Sequence, residues 1–287
     1  VRRLARELGV DLINVTGSGL SGRISKEDVK NYVKSSMSLP SDRRVIGDEP
    51  AFEEFDFSKF GSVNEQSLTR IQKQVAKNMA RNWKAIPHVT QHDDIDVTDL
   101  ETFRKEMEPT LGKLSAVAFI VKAVTIALKD FPQLNASLKN DGETLVLKEY
   151  IHIGLAVNVK DGLLVPVIKN ADQKGLRELS YEISRLADGA RDGALSFQDF
   201  SGSSFTVSSL GKLGGTGFSP IINHPEVAIL GVGRSSDRLM MSEGGVSNRK
   251  ILPLSLSYDH RVINGVYGGE FMARISDVLT DVRKLSL

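Results

Sequence analysis

Residues from about 65 to the C-terminus alternate between helix-like and strand-like apolar patterns, and this alternation limits the chain to a layered α/β fold. Residues 116–128 (AVAFIVKAVTIAL) are apolar nearly all round, which predicts a buried helix. The segments IHIGLAVNV and LLVPVI flank Asp161-Gly162, a pair typical of a hairpin turn. We therefore predict an α/β domain over residues 65–287 with a mixed sheet rather than a doubly wound one.

Further elements follow from the same patterns. An apolar stripe over Leu68–Trp83 predicts a helix, and residues 88–97 have the pattern of a strand. Thr98 and Glu101 have the spacing of a capping box, for a helix that should end near Pro109. We also predict, in chain order, a helix at 176–190, strands at 204–208, 226–232 and 251–257, and a helix at 268–284.

The first 35 residues predict a separate helical unit. Helical spacing at the N-terminus ends at Gly9, and Ser25–Val33 predicts a second short helix. Gly17, Gly19 and Gly22 match GxGxxG, but no strand long enough to open a βαβ unit precedes them. We therefore interpret these glycines as a tight loop between two helices rather than as a dinucleotide site.

Residues 36–64 mix Ser, Pro, Gly and charged residues without periodicity, which is typical of a linker. Its second half is too aromatic for a simple tether. We expect Phe55, Phe57 and Phe60 to pack as an arm on the following domain or on a neighbouring subunit.

Composition excludes several classes of function. Lys and Arg total 37 against 36 for Asp and Glu, so the formal net charge is only +1. The chain as a whole therefore has no electrostatic attraction that would favour nucleic acid or an anionic membrane as a partner. The chain has no cysteine, which excludes disulfides, thiolate metal sites and a cysteine nucleophile. No apolar run is long enough to span a bilayer, and we expect a cytoplasmic protein. The start at Val1, without an initiator Met, suggests a fragment of a longer chain.

The chain has five histidines. His88 and His92 are four residues apart in a strand with no third ligand in sight, so we predict no metal site. His152 lies in an apolar strand and His224 precedes a proline, as structural histidines often do. His260 differs, because it follows the apolar strand ILPLSLS and opens a glycine-containing loop, where catalytic side chains are often presented.

The segment around His260 carries a family resemblance. Residues 259–265 (DHRVING) resemble the DHRxxDG signature of the dihydrolipoamide acyltransferase cores of 2-oxo acid dehydrogenase complexes. These cores belong to a wider HxxxD group that includes chloramphenicol acetyltransferase. Residues 1–34 resemble the peripheral subunit-binding domain of the same proteins. The supporting segments, in family order, are FTVSSLG at 205–211, GGT at 214–216 and PEVAILG at 225–231.

The resemblance implies the organisation of the chain. It divides the chain into a peripheral subunit-binding domain (1–35), a linker and arm (36–64) and an acyltransferase domain (65–287). The acyltransferase domain should have a chloramphenicol-acetyltransferase-like mixed-sheet fold, and the first domain should be small and all-α. The family forms trimers with the active site at the subunit interface, and the trimers assemble into a 24-subunit cubic cage.

The resemblance also implies an activity. The segments DFSKFG, RIQK and IPHVT are most similar to the branch that serves bacterial pyruvate dehydrogenase complexes. That branch transfers an acetyl group between dihydrolipoamide and coenzyme A. The lipoyl group would be attached to a domain absent from this chain. A related core that moves succinyl or branched acyl groups and a non-catalytic scaffold remain alternatives.

Individual roles follow from the matched positions. His260 would take the proton of the coenzyme A thiol, and Ser208 would stabilise the tetrahedral oxyanion, with Ser209 as the adjacent alternative. Asn264 replaces the final Asp of the signature, so it can hydrogen-bond but carries no charge. Either Asn264 holds the loop, which we favour, or the site is impaired. Thr216 lies in the segment from Lys212 to Pro220, our candidate region for coenzyme A.

Two arginines of the first unit match the family's partner-binding positions. Arg2 and Arg23 would contact acidic faces of the pyruvate decarboxylase and dihydrolipoamide dehydrogenase components, in a salt-sensitive way.

A serine hydrolase is the rival enzyme class, because serine, histidine and acids are all present. The chain has no GxSxG elbow, which argues against a covalent acyl-serine.

Overall fold

The computed structural model describes residues 1–8, 10–19, 22–37, 55–112, 114–211, 215–242 and 245–286. They divide into two compact units, Val1–Glu65 and Gln66–Leu287. Each unit has a hydrophobic core of its own.

The first unit is helical, as predicted. Its helices are α1 (Arg2–Glu7) and α2 (Lys26–Met37). They enclose a small core in which Ala5, Val15 and Val29 are buried. A core of this size is marginal by itself, so the loop between the helices needs further support.

Asp28 of α2 supports that loop. Its carboxylate accepts hydrogen bonds from the backbone N–H groups of Ser25 and Ser18, at 2.8 and 3.1 Å. These bonds, chiefly the one from Ser25, hold the pKa of Asp28 well below its usual range. A side chain on Gly17 would collide with the carbonyl oxygen of Gly22. The glycines therefore permit a close backbone approach, as the tight-loop interpretation requires.

The predicted aromatic arm forms a cluster of its own. Phe55 contacts Phe57 and stacks on Phe60, with ring centroids 5.5 and 5.7 Å apart. All three rings are exposed. Their packing on the following domain or on a neighbouring subunit stays a prediction. Residues 38–54 of the predicted linker lie outside the described residues.

The second unit alternates helices and strands. Its helices are α3 (Arg70–Ala85), α4 (Thr98–Leu111), α5 (Ala116–Asp130), α6 (Leu176–Asp192) and α7 (Gly265–Thr280). Its strands are β1 (His88–Asp96), β2 (Ala136–Leu138), β3 (Leu145–Leu147), β4 (Ile153–Val159), β5 (Gly162–Leu164), β6 (Val167–Ile168), β7 (Phe205–Ser209), β8 (Ala228–Val232), β9 (Ser236–Ser242) and β10 (Gly245–Asp259).

Eight of these strands form one mixed sheet, which confirms the predicted fold class. Its main order is β1-β10-β8-β7-β4-β5, with β6 paired to β4 and β9 to β10. The pairs β4–β7 and β7–β8 are parallel, and the other pairs are antiparallel. Strands β2 and β3 form a separate hairpin.

The core lies between one face of this sheet and the helices. Helix α5 is buried along most of its length, as its sequence predicts. Alternate residues of the central strands point toward it, including Val207, Leu230 and Leu254. The intervening residues of the same strands point to the opposite face. That second face carries most of the candidate site residues.

One prediction for α4 is wrong. Thr98 does not cap the helix, because its hydroxyl donates to Asp96 at 2.6 Å and Val97 occupies the cap position. The helix ends at Leu111, two residues past Pro109 and close to the predicted end. A proline near the last turn removes one backbone hydrogen bond, and the φ angle that its ring fixes is compatible with a helix.

The long hairpin of β9 and the first half of β10 was not predicted. It has few consecutive apolar residues, and Leu239, Met241 and Val246 on its strands are exposed. The stripe predicted for α3 is likewise exposed at Ile71 and Trp83. The apolar stripe of α3 predicted the helix correctly, but no partner among the described residues of this chain buries these two side chains.

Candidate active site

A row of small and polar residues crosses the sheet on the face opposite the core. Ser208 on β7 pairs with Gly231 on β8, Gly231 pairs with Ser255 on β10, and Ser255 pairs with His92 on β1. Adjacent strands are 4.7–4.9 Å apart, so Ser208 and His92 lie about 14 Å apart. The ring of Phe218 covers Gly231, where an added Cβ would come within 2.8 Å of it. The glycine thus lets an aromatic side chain lie in the middle of the row.

Ser208, rather than Ser209, is free to act on a ligand. The side chain of Ser208 is half-buried, and its hydroxyl makes no hydrogen bond within the described residues. The hydroxyl of Ser209 accepts a hydrogen bond from the backbone N–H of Gly211 at 3.3 Å. Strand alternation also turns the two side chains to opposite faces of the sheet.

His260 follows the last residue of β10, as predicted. Its backbone N–H donates to the carbonyl oxygen of Pro87 at 3.0 Å, while its side chain is exposed. The ring centroid of Tyr258 lies 6.0 Å from that of the histidine. The backbone of this residue is therefore fixed and its imidazole is accessible.

The residues on either side of His260 form an ion pair. Asp259 is buried, and its carboxylate accepts hydrogen bonds from Arg261 Nε and Nη2 at 2.9 and 2.6 Å. These bonds raise the pKa of Arg261 above its usual range. The backbone N–H groups of Val262 and Ile263 both donate to the carbonyl oxygen of Asp259 at 3.0 Å. Asp259 therefore shapes the loop.

Asn264 begins α7. Its side-chain oxygen accepts a hydrogen bond from the backbone N–H of Tyr267 at 2.9 Å, which is the geometry of a helix N-cap. This contact gives the amide a structural use in the loop. It supports the interpretation in which Asn264 holds the loop without a charge.

One chain does not bring His260 and Ser208 together. His260 lies five residues beyond Ser255, which is aligned with Ser208 two strands away. At 3.4 Å per residue along the strand and 4.8 Å between strands, the two Cα atoms are about 20 Å apart. A proton transfer or a shared tetrahedral intermediate requires contact within a few ångströms.

Thr216 lines a cavity near the β1 edge of the sheet. The cavity has a volume of about 330 Å³ and is also lined by His92, Gly217, Phe218 and Ser219. Residues 212–214 of the candidate coenzyme A region lie outside the described residues. The described half of that region thus borders the same face as Ser208.

His88 and His92 have separate partners. His88 Nδ1 donates to the carbonyl oxygen of Ile86 at 2.7 Å, and His88 Nε2 accepts from the backbone N–H of Ile222 at 3.0 Å. His92 Nδ1 lies 2.9 Å from the hydroxyl of Ser255. His88 is therefore a structural histidine that fixes the segment before β8.

Burial lowers the pKa of two other histidines. His152 Nδ1 accepts a hydrogen bond from the backbone N–H of Asn170 at 3.1 Å, and burial is the main cause of its lowered pKa. His224 is affected chiefly by burial and then by the positive charges of Arg81 and Arg261. Neither lies beside Ser208.

Sequence reasoning missed Glu226. This residue is only 2% exposed, and burial raises the pKa of its carboxyl to about 7. Its position directly before the apolar strand VAILGV was the available signal, because a residue that opens a central strand is usually buried.

In the first unit, the predicted partner-binding arginines are exposed. Arg2 opens α1, and the backbone carbonyl of Arg23 accepts a hydrogen bond from Gly19 N–H at 3.0 Å.

Across the described parts of the chain, no helix is both long and apolar enough to cross a membrane.

Relatives of this chain carry names that describe an acetyltransferase. The dihydrolipoyllysine-residue acetyltransferase component of the pyruvate dehydrogenase complex of Haemophilus influenzae is 46% identical over 99% of this chain and 53% of the relative. The protein of the same name from Cupriavidus necator is 47% identical over 100% of this chain and 54% of the relative. The chain thus spans about half the length of the curated relatives it matches.

Solved structures share the fold. A dihydrolipoamide acetyltransferase from Azotobacter vinelandii, studied for the catalytic roles of a serine, a histidine and an asparagine, is 44% identical, with a TM-score of 0.81 over 83% of this chain and 100% of that one. The cubic core of a pyruvate dehydrogenase multienzyme complex matches equally well, with 44% identity and a TM-score of 0.81.

Family models match both units. Residues 1–30 match the e3 binding domain. Residues 60–287 match the catalytic domain of the 2-oxoacid dehydrogenases acyltransferase family, and the chain therefore belongs to that family.

Proposed function

We propose that this chain transfers an acetyl group between dihydrolipoamide and coenzyme A as the core of a pyruvate dehydrogenase complex. One observation carries the proposal. The serine, histidine and asparagine studied in the Azotobacter vinelandii acetyltransferase have the same spacing along their chain as Ser208, His260 and Asn264 have here. The names of the relatives, each 46–47% identical over nearly the whole chain, support the same activity.

His260 acts as the general base. Its exposed imidazole takes the proton of the coenzyme A thiol, a group similar to the cysteine thiol, whose pKa is about 8.5. The resulting thiolate attacks the thioester carbonyl of acetyl-dihydrolipoamide. The same imidazole then returns the proton to the departing dihydrolipoamide sulfur. No proton is gained or lost over the cycle.

Ser208 stabilises the intermediate between these steps. Its hydroxyl, which has no partner within the described residues, donates to the oxyanion of the tetrahedral adduct. One such donor contributes about 3 kcal/mol to transition-state stabilisation. Asn264 holds the His260 loop at the start of α7 through its bond to Tyr267.

The site is completed by a second copy of the chain. Ser208 and His260 of one chain are too far apart to act on one substrate, so His260 of one subunit faces Ser208 of the next. A threefold arrangement closes such head-to-tail contacts into a ring. The exposed stripe of α3 is available for burial in this interface. Further assembly into a 24-subunit cage follows the likeness to a cubic core.

The substrates and partners follow from the same assignment. Coenzyme A binds along the cavity that Thr216 lines, on the face of the sheet that carries Ser208. The acetyl group arrives on a lipoyl group carried by a domain outside residues 1–287. Residues 1–35 form the peripheral subunit-binding domain, residues 36–64 the linker and arm, and residues 65–287 the catalytic domain. Arg2 and Arg23 bind the dihydrolipoamide dehydrogenase and pyruvate decarboxylase components.

The test is an assay of acetyl transfer from acetyl-CoA to free dihydrolipoamide. We expect the wild type to be active and His260→Ala to lose activity by about 10² to 10⁴-fold. His152→Gln, which removes a histidine outside the site, is the matched control. An inactive wild type that accepts succinyl or branched acyl groups would move the assignment within the family. Inactivity with every acyl group, in a chain that still binds its partner enzymes, would leave a scaffold.

A further inference from the structure

Glu226 is a buried acid that the proposed mechanism does not use. Its side-chain amide partner is Asn223, which donates to Glu226 Oε1 at 3.2 Å. The hydroxyls of Ser203 and Thr206 also face the carboxyl group. Among the described residues, Glu226 Oε2 and Thr206 Oγ1 make no hydrogen bond with full geometry. Burying a carboxyl group costs more free energy than burying an apolar side chain, so the presence of Glu226 at this position calls for a functional or structural explanation.

The backbone connects Glu226 to the His260 loop. The N–H of Glu226 donates to the carbonyl oxygen of Asn223 at 3.0 Å and closes a tight turn. The carbonyl oxygen of the next residue, Val227, accepts a hydrogen bond from the N–H of Asp259 at 2.8 Å. Asp259 directly precedes His260. A shift of the turn at Glu226 therefore moves the peptide that carries the base.

A cavity of about 160 Å³ lies along this connection. Glu226 lines it together with Val227, Asp259 and Arg261. The loop of His260 is thus not packed tightly from this side, and its position depends on the hydrogen bonds of the turn.

The side chain connects Glu226 to the Ser208 strand. Thr206, whose hydroxyl faces the carboxyl, lies two residues before Ser208 and on the same face of β7. One buried carboxyl therefore touches the strand of the oxyanion donor and the turn that supports the base. If the active sites form between subunits, Ser208 and His260 of one chain belong to two different sites.

We propose that Glu226 is a positioning residue, which fixes the His260 loop against the strand of Ser208 through the Asn223–Val227 turn. The inference rests on the proposed function. The carboxyl does not touch substrate or the reacting atoms.

The charged groups around Glu226 define the form in which it acts. Lys148 is the cation whose charge reaches it. Lys139 lines the same cavity, and Asp259 and Arg261 form an ion pair beside it. His224 lies two residues before it in the same turn. Burial outweighs the attraction of Lys148 and raises the pKa of Glu226 to about 7.

The experiment compares Glu226→Ala with Glu226→Gln in the acetyl transfer assay, from pH 6 to pH 9. The alanine variant removes the side chain that holds the turn, and we expect its kcat to fall by about tenfold or more. Both KM values should stay within about twofold of the wild type, because the substrate-binding surface is unchanged. The glutamine variant keeps the hydrogen bonds, so its kcat at pH 6 should stay within about threefold of the wild type.

Asn135→Ala is the matched control, since Asn135 is also buried and donates to the carbonyl oxygens of Lys148 and Tyr150. It should lower the melting temperature without lowering kcat. If Glu226→Ala does not fold, Asn223→Ala tests the same turn and should lower kcat by about threefold or more.

Three results would overturn the inference. They are a kcat for folded Glu226→Ala equal to that of Asn135→Ala, a glutamine variant as slow as the alanine variant, and an unchanged kcat in Asn223→Ala. An inactive wild type would instead overturn the proposed function, and this inference with it.

Discussion

Ser208 and His260 lie on the same sheet but at opposite ends of its central strands. Ser208 is aligned through Gly231 with Ser255, and the chain continues for five residues along β10 before it reaches His260. The two residues are therefore about 20 Å apart in one chain. Both are accessible, which is the arrangement expected of two half-sites that meet between subunits.

Mixing two inactive variants tests the shared site. Ser208→Ala and His260→Ala should each be inactive alone. When the two chains are unfolded together and reassembled, interfaces that join the intact serine of one chain to the intact histidine of another should recover about a quarter of wild-type activity, because random assembly produces them at that frequency. A site within one chain would recover nothing, since every chain lacks one residue. Each variant refolded alone is the control.

The two adjacent serines provide a second test. Ser208→Ala should lower kcat by about 10² to 10³-fold, as expected for the loss of one oxyanion donor. Ser209→Ala is the matched control on the same strand. Its hydroxyl accepts from Gly211 N–H, so its loss should affect the following loop and lower kcat by less than about tenfold. Equal losses in the two variants would contradict the assignment of Ser208.

The sequence best predicted the elements whose apolar residues pack against other residues of the same chain. Helix α5 is apolar on all sides and lies in the core, and the apolar segments that became β4, β7 and β8 form the centre of the sheet. In these segments each apolar residue has its partner in the same unit, so periodicity and burial agree. The mixed sheet followed from the hairpin turn between β4 and β5.

The hairpin of β9 and β10 and the burial of Glu226 could not be predicted in this way. The hairpin has polar and exposed apolar residues on both strands, so no alternation marks it. Glu226 is polar, and although its place before an apolar strand favours burial, the groups that surround its carboxyl depend on how β7 meets the Asn223 turn. The distance between Ser208 and His260 depends on the register of the paired strands, which cannot be read from the spacing of the two residues in the sequence.

Substitutions at Asn264 distinguish a structural amide from a missing charge. Asn264→Asp keeps an N-cap oxygen for Tyr267 N–H, so its stability should be close to that of the wild type and its kcat should change by less than about fivefold. Asn264→Ala removes the cap and should lower the free energy of unfolding by about 1 kcal/mol. A gain of activity of about a hundredfold in Asn264→Asp would instead indicate that the natural asparagine impairs catalysis.

The contribution of Glu226 to the stability of the folded chain should fall with rising pH. Its pKa is raised from 4.5 to about 7 in the folded chain. Below pH 4.5 both the folded and unfolded states are protonated at this residue. Between pH 4.5 and 7 the unfolded chain ionises first, so unfolding becomes easier, and above the folded pKa the effect levels off. The full change is at most about 3 kcal/mol, from 1.36 kcal/mol per pKa unit.

Glu226→Gln isolates this effect from the other titrating groups, because the amide does not ionise. Denaturant unfolding of both proteins at pH 5 and pH 8 should show that the wild type loses stability relative to the variant as the pH rises. Carboxylates with lowered pKa values, such as Asp28 and Asp281, act in the opposite direction and are common to both proteins. Parallel curves for the two proteins would mean that Glu226 titrates in the folded state as it does in the unfolded one, and that it is not held uncharged at neutral pH.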